Sequence, residues 1–477
     1  MIRTDRWLCL LCCLLSSLTM SAQELAFPGA EGYGRFTTGG KSVNGCDTVV
    51  YRVTRLDDCT DRELVPGTLR WALRTGDDTP RTVVFDVCGT IYLRSLLALA
   101  HPNVSILGQT APGKGVCVAG YTLRISRPNV IIRYMRFRAG DIPDKSMTSL
   151  DVENVHHVII DHCSMTWSME ENLTMYDCDS TTVQWCILAE GLYHSTNVKG
   201  ARSYATQWGG EHATMHHCLI ANVNNRTPRF NGMRKLSRRP GDHDQFVDNE
   251  FVNNVVFNWG KSNSVYGGEC YKTFTNTDAT QDSYNRVDMI NNYYRPGPNT
   301  LTNVPAERFF VNAWYSSANG RGLGEWYLSG NHFEIGGRFA PKNAFWSKKV
   351  LKRVNADNLY GFADSLPARA FNTELGANAA IYKDYILHRP TLSDGLRIET
   401  AEQAFRSVTS DAGCKLPAYD EVDARILAEA AGRRDPQFAG RKADGTLERA
   451  LGIINSQYDV HLQREDPHLK GWPDLTR

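Results

Sequence analysis

The chain has 477 residues and balanced charge, since 53 Lys and Arg residues stand against 52 Asp and Glu residues. A hydrophobic fraction of 42% supplies a large core and excludes a chain that is disordered over most of its length. Because the net charge is only +1, overall electrostatics indicates no nucleic-acid partner, and an acidic ligand would require a local basic patch.

Residues 1–22 have the order of a secretory signal peptide. A charged start is followed by an apolar run from Trp7 to about Met20 and by the small residues Ser21 and Ala22. We therefore predict export, with the mature chain beginning near Gln23. An N-terminal anchor helix is the alternative, although this run is too short to span a bilayer. No later stretch reaches the roughly 20 apolar residues of a transmembrane helix.

The next part of the chain predicts a short helix and two strands. Gly67–Arg74 has helical spacing and is predicted to cap one open end of the fold, because uncapped strand edges promote aggregation. Thr82–Val87 and Val104–Leu107 have the composition of buried strands and precede a region of regular repeats.

A short apolar phrase recurs seven times between Val130 and Phe333. Each copy contains one anchor residue, in chain order Met135, Cys163, Cys186, Cys218, Asn254, Asn292 and Asn331. Successive anchors lie 23 to 39 residues apart, so a constant unit is joined by connections of variable length. This arrangement is typical of a solenoid. Antiparallel hairpins are the alternative, which the long spacing and the scarcity of two-residue turns disfavour.

The apolar pattern inside each copy predicts a corner. Apolar residues alternate with a period of two, but the parity changes just before the anchor, and a strand cannot change faces without a bend. Asparagine suits the left-handed backbone of such a corner. We expect stacked coils to align the anchors from Cys163 to Asn331 in one internal column, with the cysteines as small buried hydrophobes. The sequence thus predicts an all-β fold, a right-handed parallel β-helix.

The repeats stop near residue 340, and the rest of the chain has a different pattern. Thr400–Val408 and Glu421–Glu429 are predicted amphipathic helices. We therefore divide the chain into a signal peptide at 1–22, a β-helix at 23–340, and a partly helical C-terminal extension at 341–477. The extension is predicted to pack along the β-helix.

Residues at equal distances from the corners predict a surface site. Glu171, His194 and Arg226 each follow an anchor by eight residues on successive coils. With coils about 4.8 Å apart, we expect Glu171 and Arg226 about 10 Å apart, enough for a sugar and a metal ion. The segment Arg226–Arg229 carries two guanidinium groups, which suit carboxylates. A surface loop that forms salt bridges to a neighbouring coil is the alternative.

Several motifs occur in a characteristic order along the chain. They are Ala26–Gly34, Pro66–Arg70, Gly108–Pro112, Asn129–Arg138, Val158–Ser168, Gln184–Ile187 and Arg226–Arg229. Across about residues 25–340 the chain resembles the pectate lyase superfamily, especially exported enzymes of gut Bacteroidetes. The resemblance implies a secreted, periplasmic or cell-surface bacterial lyase. It also implies cleavage of polygalacturonate or related pectin by calcium-assisted β-elimination.

The resemblance also implies roles for individual basic residues. Arg226 stands at the first arginine of the family's RxPxxR motif, which is the base that removes the C5 proton. Asn231 occupies the place of the last arginine of that motif, although Arg229 is present nearby. Lys199, Arg229 and Arg202 are the implied substrate-binding residues. Arg202 stands where relatives often have histidine, so specificity is expected to differ.

Calcium ligands are implied by acidic residues in two places. The upstream acid is Asp151 or Glu153. Relatives often have a DxxxD pair where this chain offers Glu170 or Glu171, and a Thr or Met replaces the second acid. Calcium binds six to eight oxygen atoms, so water and the substrate carboxylate would complete the set. We take Asp151, Glu170 and Glu171 as the expected ligands.

Other functions remain possible for such a β-helix. A polygalacturonase-type hydrolase would need paired carboxylates for acid and base catalysis. A calcium-independent pectin lyase usually replaces the metal-binding acids with arginine or aromatic residues. A non-catalytic pectin-binding β-helix would have lost the metal site. For the pectate lyase we expect a monomer with an acidic plant polysaccharide as its partner, whereas the pectin lyase would act on methylated substrate.

Overall fold

A computed structural model describes the chain from the predicted mature N-terminus to near its end. The described residues are 23–142, 146–230, 246–260, 265–268, 284–300, 311–313, 324–339, 347–364, 386–461 and 470–476. The predicted signal peptide at 1–22 and Asn231 lie outside these residues. None of the helices within the described ranges is long and apolar enough to cross a membrane.

Across the described residues, the chain winds through three parallel β-sheets in a fixed order. The strands of sheet A are Val49–Val53, Arg81–Phe85, Val104–Leu107, Val130–Arg133, His156–Asp161, Asp179–Gln184, His212–His216, Phe246–Val252, Tyr284–Ile290 and Glu325–Ser329. The strands of sheet B are Gly89–Tyr92, Val116–Ala119, Arg136–Arg138, Ser164–Thr166, Ile187–Ala189, Leu219–Ala221, Val255–Phe257, Tyr293–Arg295 and His332–Phe333. The strands of sheet C are Leu97–Ala98, Leu123–Ile125, Leu150–Glu153, Glu171–Tyr176, Tyr204–Trp208, Arg229–Phe230, Val265–Gly267, Val311–Ala313 and Phe362–Asp364.

Each strand pairs in parallel with the equivalent strand of the next coil. In sheet A, for example, Ile160 pairs with Ile132 on one side and with Val183 on the other, and all three side chains are buried in the core. Identical positions of successive coils therefore stack on one another. This pairing confirms the predicted parallel β-helix and excludes the antiparallel hairpins.

A short helix lies beside the first coil, as the sequence predicts. It spans Leu69–Arg74 and is capped by the Thr68 side chain, which accepts a hydrogen bond from the Trp71 backbone. Leu69 and Leu73 are buried in the same core as Val53 of sheet A. The helix therefore extends the apolar core beyond the first rung of the sheet.

The predicted column of anchors is confirmed by hydrogen bonds between successive coils. The Cys163 backbone N–H points at Cys186 Sγ, 3.4 Å away, and the Cys218 N–H donates to Asn254 Oδ1 at 2.9 Å. Beyond Asn254 the same bond links Asn254 to Asn292, Asn292 to Asn331, and Asn331 to Asn358. The side chains of the column are buried. Each anchor thus binds the backbone of the preceding coil.

The left-handed residue of the corner is not the anchor, so that part of the prediction is wrong. Positive φ angles occur one residue earlier, at Tyr134, His162, Trp185, His217, Asn253 and Asn291. The residue before the anchor adopts the left-handed conformation of the corner, and the anchor side chain then points inward to its hydrogen-bond partners. Several of the bent residues stack as aromatic rings, with Trp185 and His217 centroids 4.4 Å apart.

The C-terminal part of the chain contains the two predicted helices, which span Ala401–Asp411 and Glu421–Ala430. Val408 and Ile426 share a buried cluster with Ile187 of sheet B. Further helices span Lys348–Ala356 and Tyr458–His461. The strand Phe362–Asp364 continues sheet C beyond residue 340, because it pairs with Val311–Ala313.

A buried ion cluster joins the helix Glu421–Ala430 to sheet B. Arg138 donates to Asp420 and, at 2.8 Å, to Asp423, while Arg136 lies 3.2 Å from Asp423. The four side chains have no exposed surface. Burial opposes the charge of Asp420, but the charges of Arg138 and Arg136 hold its pKa well below the usual range. Asp420 is therefore held in its ionised form, whereas burial and the charge of Asp420 raise the pKa of Asp423.

The asparagine column makes a direct contribution to stability. Asn292 Nδ2 donates to the Phe251 carbonyl and to Asn331 Oδ1, and its Oδ1 accepts from the Asn254 backbone. Asn292→Ala leaves these buried groups unpaired, so we expect the free energy of unfolding to fall by about 3 kcal/mol. Asn292→Cys should cost less, since cysteine holds this position on other coils. Urea titration measures both, and a Gln437→Ala surface variant should stay within about 0.5 kcal/mol of wild type.

Removing one acid of the buried ion cluster should be more costly than breaking a surface pair. Asp420→Ala leaves Arg138 buried beside an incomplete set of charges, and we expect a loss of about 3–5 kcal/mol in the free energy of unfolding. Asp435→Ala removes the exposed partner of Arg338 and should cost less than about 1 kcal/mol. Equal losses in the two variants, measured by urea titration, would contradict the stabilising role of the cluster.

Candidate functional site

An open groove of about 480 Å³ runs along the outer face of sheet C. Its lining consists of Arg124, Thr148, Asp151, Glu153, Glu170, Glu171, Thr174, Tyr176, Lys199, Arg202, Tyr204, Gln207 and Arg226. Most of these residues lie on strands whose alternate side chains fill the core. Leu150 and Val152, for instance, are buried, whereas Asp151 and Glu153 line the groove. Strand alternation thus explains which side chains reach the site.

The backbone register arranges the groove as a ladder. Arg124 pairs with Asp151, Asp151 with Thr174, Thr174 with Gln207, and Gln207 with Arg229. At about 4.8 Å per rung, these five positions extend over about 19 Å. The groove is therefore long enough for several sugar residues of an extended polymer.

Carboxylates and cations alternate in the groove and form ion pairs. Asp151 accepts a hydrogen bond from Arg124 Nε at 2.7 Å. Glu170 binds Lys199 Nζ at 2.6 Å and lies 3.3 Å from Arg202 Nε. The Lys199 side chain is 61% exposed, so it can exchange Glu170 for a ligand carboxylate at low cost.

Arg226 reaches across one coil to Glu171. Its Nη1 donates to Gln207 Oε1 at 2.7 Å and forms an ion pair with the Glu171 carboxylate. Its guanidinium carbon lies 4.2 Å from the centre of the Tyr204 ring. The two residues are separated by the coil that carries Tyr204, as predicted, because Tyr204 pairs with Glu171 and with Asn225. The expected gap of about 10 Å is wrong, because the long Arg226 side chain spans it.

Several neighbours change the proton affinity of Arg226. Burial lowers the pKa of its guanidinium, Tyr266 raises it, and the positive charge of Arg229 lowers it again. Glu170 acts in the opposite direction, and the net effect is a pKa below the ordinary value of arginine. A guanidinium in this environment gives up its proton more readily than one on an exposed surface.

The oxygen atoms of the groove are of the type that calcium binds. Asp151, Glu170 and Glu171 offer carboxylates, and Thr174 adds a hydroxyl on the rung next to Asp151. Within the described residues, however, no three Asp, Glu, His or Cys side chains already surround one point. The donor set fits calcium in its chemistry, and water and a substrate carboxylate would have to complete the coordination.

The structure brings most of the predicted site residues into the groove. Its lining contains the predicted Arg226, Lys199, Arg202, Asp151, Glu170 and Glu171. Arg229 is not part of the lining, and its guanidinium lies 5.7 Å from the centre of the Tyr266 ring. His194 is also outside it and pairs with Glu448 at 2.9 Å.

Two contacts of Arg226 were missed by sequence reasoning. Gln207 and Tyr204 lie on the strand Tyr204–Trp208 and hold the guanidinium from two sides. That strand lacks the repeated phrase, because the phrase marks sheets A and B rather than sheet C. Gln207 stands between Thr206 and Trp208, which are both buried. This position in the strand is the feature that could have indicated its place in the groove.

The histidine pairs beside the anchors lie elsewhere. His162 Nδ1 is 2.8 Å from Asp161, and the Nδ1 atoms of His216 and His217 are 2.9 Å apart. These residues belong to sheet A or to the corner that follows it, and the groove lining does not include them.

The chain is similar in sequence to curated fungal proteins. No protein-family profile matches it. It is 32% identical over 278 residues to a probable pectate lyase C of Aspergillus terreus, covering 58% of this chain and 55% of that one. It is 33% identical over 293 residues to a probable pectate lyase C of Aspergillus fumigatus, covering 60% and 59%. The chain therefore spans less than two thirds of the length of these curated relatives.

A solved pectate lyase of Bacillus sp. N165, in complex with trigalacturonate, aligns with 81% of this chain and 98% of its own. The sequence identity is 17% and the TM-score is 0.46. The fungal proteins are more similar in sequence, at about one third identity over 278 and 293 residues. The chain is thus similar in sequence to proteins named probable pectate lyases, and it is built from three parallel sheets.

Proposed function

We propose that this protein is a secreted polysaccharide lyase that cleaves polygalacturonate or a related pectin by β-elimination. The observation that carries the proposal is Arg226, a largely buried guanidinium with a lowered pKa on the wall of a long polar groove. The sequence relationship to pectate lyases supports the choice of substrate. The predicted signal peptide at 1–22 supports export from a bacterial cell.

In this proposal Arg226 is the base of the elimination. The neutral guanidine takes the proton from C5 of a galacturonate residue, and the electron pair of the C5–H bond forms the C4–C5 double bond. The bond from C4 to the glycosidic oxygen then breaks, and that oxygen takes a proton from solvent. The products are a chain with a 4,5-unsaturated non-reducing end and a chain with a new reducing-end hydroxyl at C1, so atoms and electrons balance. Loss of the positive charge on Arg226 precedes each turnover.

Basic residues of the groove would bind the polymer. Lys199 and Arg202 both contact Glu170, and a substrate carboxylate can replace that acid at either cation. Arg229 lies outside the groove lining but near Arg226, whose pKa it lowers, so we assign it an electrostatic role at the base. A single chain supplies all of these groups.

Calcium is the proposed cofactor, with Asp151, Glu170 and Glu171 as the residues that would hold it. When bound there, calcium would neutralise the C6 carboxylate and make the C5 proton more acidic. The protein's own contribution is to direct three carboxylates into one groove and to hold Arg226 beside them. The three acids are paired with Arg124, Lys199 and Arg226.

A calcium-independent pectin lyase is the second candidate, and one observation favours it. Every expected metal-binding acid already has a cationic partner, so the groove balances its own negative charge without a metal. In that case a methylated substrate, which carries no C6 charge, would be preferred. The response to a chelator separates the two candidates.

The proposed function requires a lyase activity that depends on Arg226. Purified mature protein should release unsaturated products from polygalacturonate, measured by ultraviolet absorbance, and a calcium chelator should abolish the signal. Arg226→Ala should lower kcat by about a hundredfold or more, because the general base is lost. Arg62→Ala, which removes an exposed arginine, should leave kcat unchanged. Reducing ends without ultraviolet absorbance would support a hydrolase instead, and binding without cleavage would support a non-catalytic module.

The proposed role of Arg226 as a base also makes kcat depend on pH. Only the neutral form of Arg226 can accept a proton, and below the pKa of a group its neutral fraction rises about tenfold per pH unit. We therefore expect kcat to rise with pH across the range from about 7 to 10 at saturating calcium. Because the pKa of Arg226 is lowered, this rise should level off at a lower pH than for an ordinary arginine. A profile that falls throughout this range would rule out Arg226 as the base.

A further inference from the structure

The segment that carries Arg226 follows a corner of the coil and is bound by the backbone of the preceding coil. The Asn224 and Asn225 N–H groups both donate to the Ser203 carbonyl, at 2.8 and 3.1 Å. The Thr206 N–H donates to the Arg226 carbonyl at 3.0 Å. These bonds hold the main chain of the segment from one direction.

The C-terminal extension contacts the same row of corners. Equivalent residues with left-handed backbones follow the sheet B strands of three successive coils, and they are Glu190, Asn222 and Asn258. Arg425 binds the Glu190 carboxylate at 2.7 and 2.9 Å. Glu429 accepts a hydrogen bond from the Asn222 amide at 2.9 Å, and the Leu451 carbonyl accepts one from the Asn258 amide at 3.0 Å. The extension thus binds equivalent positions along the β-helix.

Arg449 continues this contact toward Arg226. Its Nη2 donates to Asn224 Oδ1 at 2.7 Å and to Asn299 Oδ1 at 2.8 Å. Its guanidinium carbon lies 4.8 Å from the centre of the Tyr193 ring. Asn224 is 8% exposed and precedes Arg226 by two residues. Arg449 therefore connects the extension to the chain directly before the proposed base.

The position of this segment matters because the Arg226 backbone has a left-handed φ of 61°. A residue other than glycine keeps such a conformation only where its surroundings hold it. A displacement of about 1 Å at a catalytic group can lower a rate about a hundredfold. Hydrogen bonds from a charged donor are about twice as strong as those between neutral groups, so Arg449 is suited to restrain the segment.

We propose that Arg449 is a positioning residue, which holds the segment of Arg226 in place through its hydrogen bond to Asn224. The inference rests on the proposed function, since it assumes that Arg226 is the base. Arg449 is not part of the groove lining, so it acts through the segment and not by contact with the polymer. The C-terminal extension is then part of the catalytic unit.

Two substitutions at residue 449 test the hydrogen bond. Arg449→Met keeps the length of the side chain and removes its donors, so kcat should fall about tenfold or more. KM should change little, because the groove lining is intact. Arg449→Lys retains a charged donor and should have a kcat between those of the methionine variant and wild type. A loss confined to KM, or a lysine variant no more active than the methionine variant, would contradict the proposal.

A double-mutant cycle tests whether Arg449 acts through Asn224. Asn224→Ala removes the acceptor from the other end of the same bond. The double variant should therefore have about the kcat of the slower single variant. Losses that multiply in the double variant would show that the two residues act independently and would overturn the proposal.

A matched control removes another arginine of the extension. Arg434 also donates to an amide oxygen, that of Gln437, at 2.7 Å, but this pair is exposed and lies outside the groove lining. Arg434→Ala should have wild-type kcat and KM. Urea titration of all variants establishes that the fold is retained before activities are compared.

A second measurement does not depend on activity. Amide hydrogen exchange, followed by peptide mass spectrometry, reports how firmly residues 222–227 are held. Arg449→Met should speed exchange in this segment about tenfold, whereas Arg434→Ala should leave it unchanged. Unchanged exchange in Arg449→Met would overturn the positioning role. Failure of the proposed function alone would appear as an inactive wild type in which Arg449→Met still speeds exchange.

Discussion

Parallel pairing of equivalent residues on successive coils is the constraint on which the rest of the structure depends. Because the side chains of a strand alternate between two faces, a shift of one residue would turn the core outward. The anchor column prevents such a shift. Asn254, Asn292 and Asn331 each bind the next side chain of the column through their backbone N–H groups. The column therefore holds the register of successive coils at the corner between sheets A and B.

The groove combines this rigid register with residues from variable connections. Thr174 and Gln207 are fixed by strand pairing, whereas Lys199 and Arg202 lie in the long connection between the strands Ile187–Ala189 and Tyr204–Trp208. Arg226 follows a corner and has a left-handed φ of 61°. Rigid strands thus orient the proposed base, and less constrained segments provide the cations that would bind a polymer. This division allows chemistry and specificity to change separately.

The fold was predictable from sequence because its repeats combine two local rules, alternation and a change of parity at the anchor. Those rules located the column from Cys163 to Asn331 but assigned the left-handed backbone to the wrong residue. Alternation of apolar residues specifies which face a side chain occupies. It does not specify which of two adjacent residues adopts the positive φ angle. In the site, the number of residues that follow each anchor predicted the coil on which Arg226 lies. It did not predict the contact of Arg226 with Glu171, because backbone spacing ignores the length of an arginine side chain. Gln207 was missed for a related reason, because its strand lies outside the repeated phrase.

The column of anchors also gives each of three successive coils its own thiol. Cys163, Cys186 and Cys218 have no exposed surface, and burial raises the pKa of the Cys163 and Cys186 thiols well above the usual range. A buried, protonated thiol does not react with alkylating agents until the structure around it opens. The order in which these cysteines become reactive during partial unfolding would therefore record the order in which neighbouring coils separate. The protein carries its own reporters of whether a solenoid frays from one end or opens as a unit.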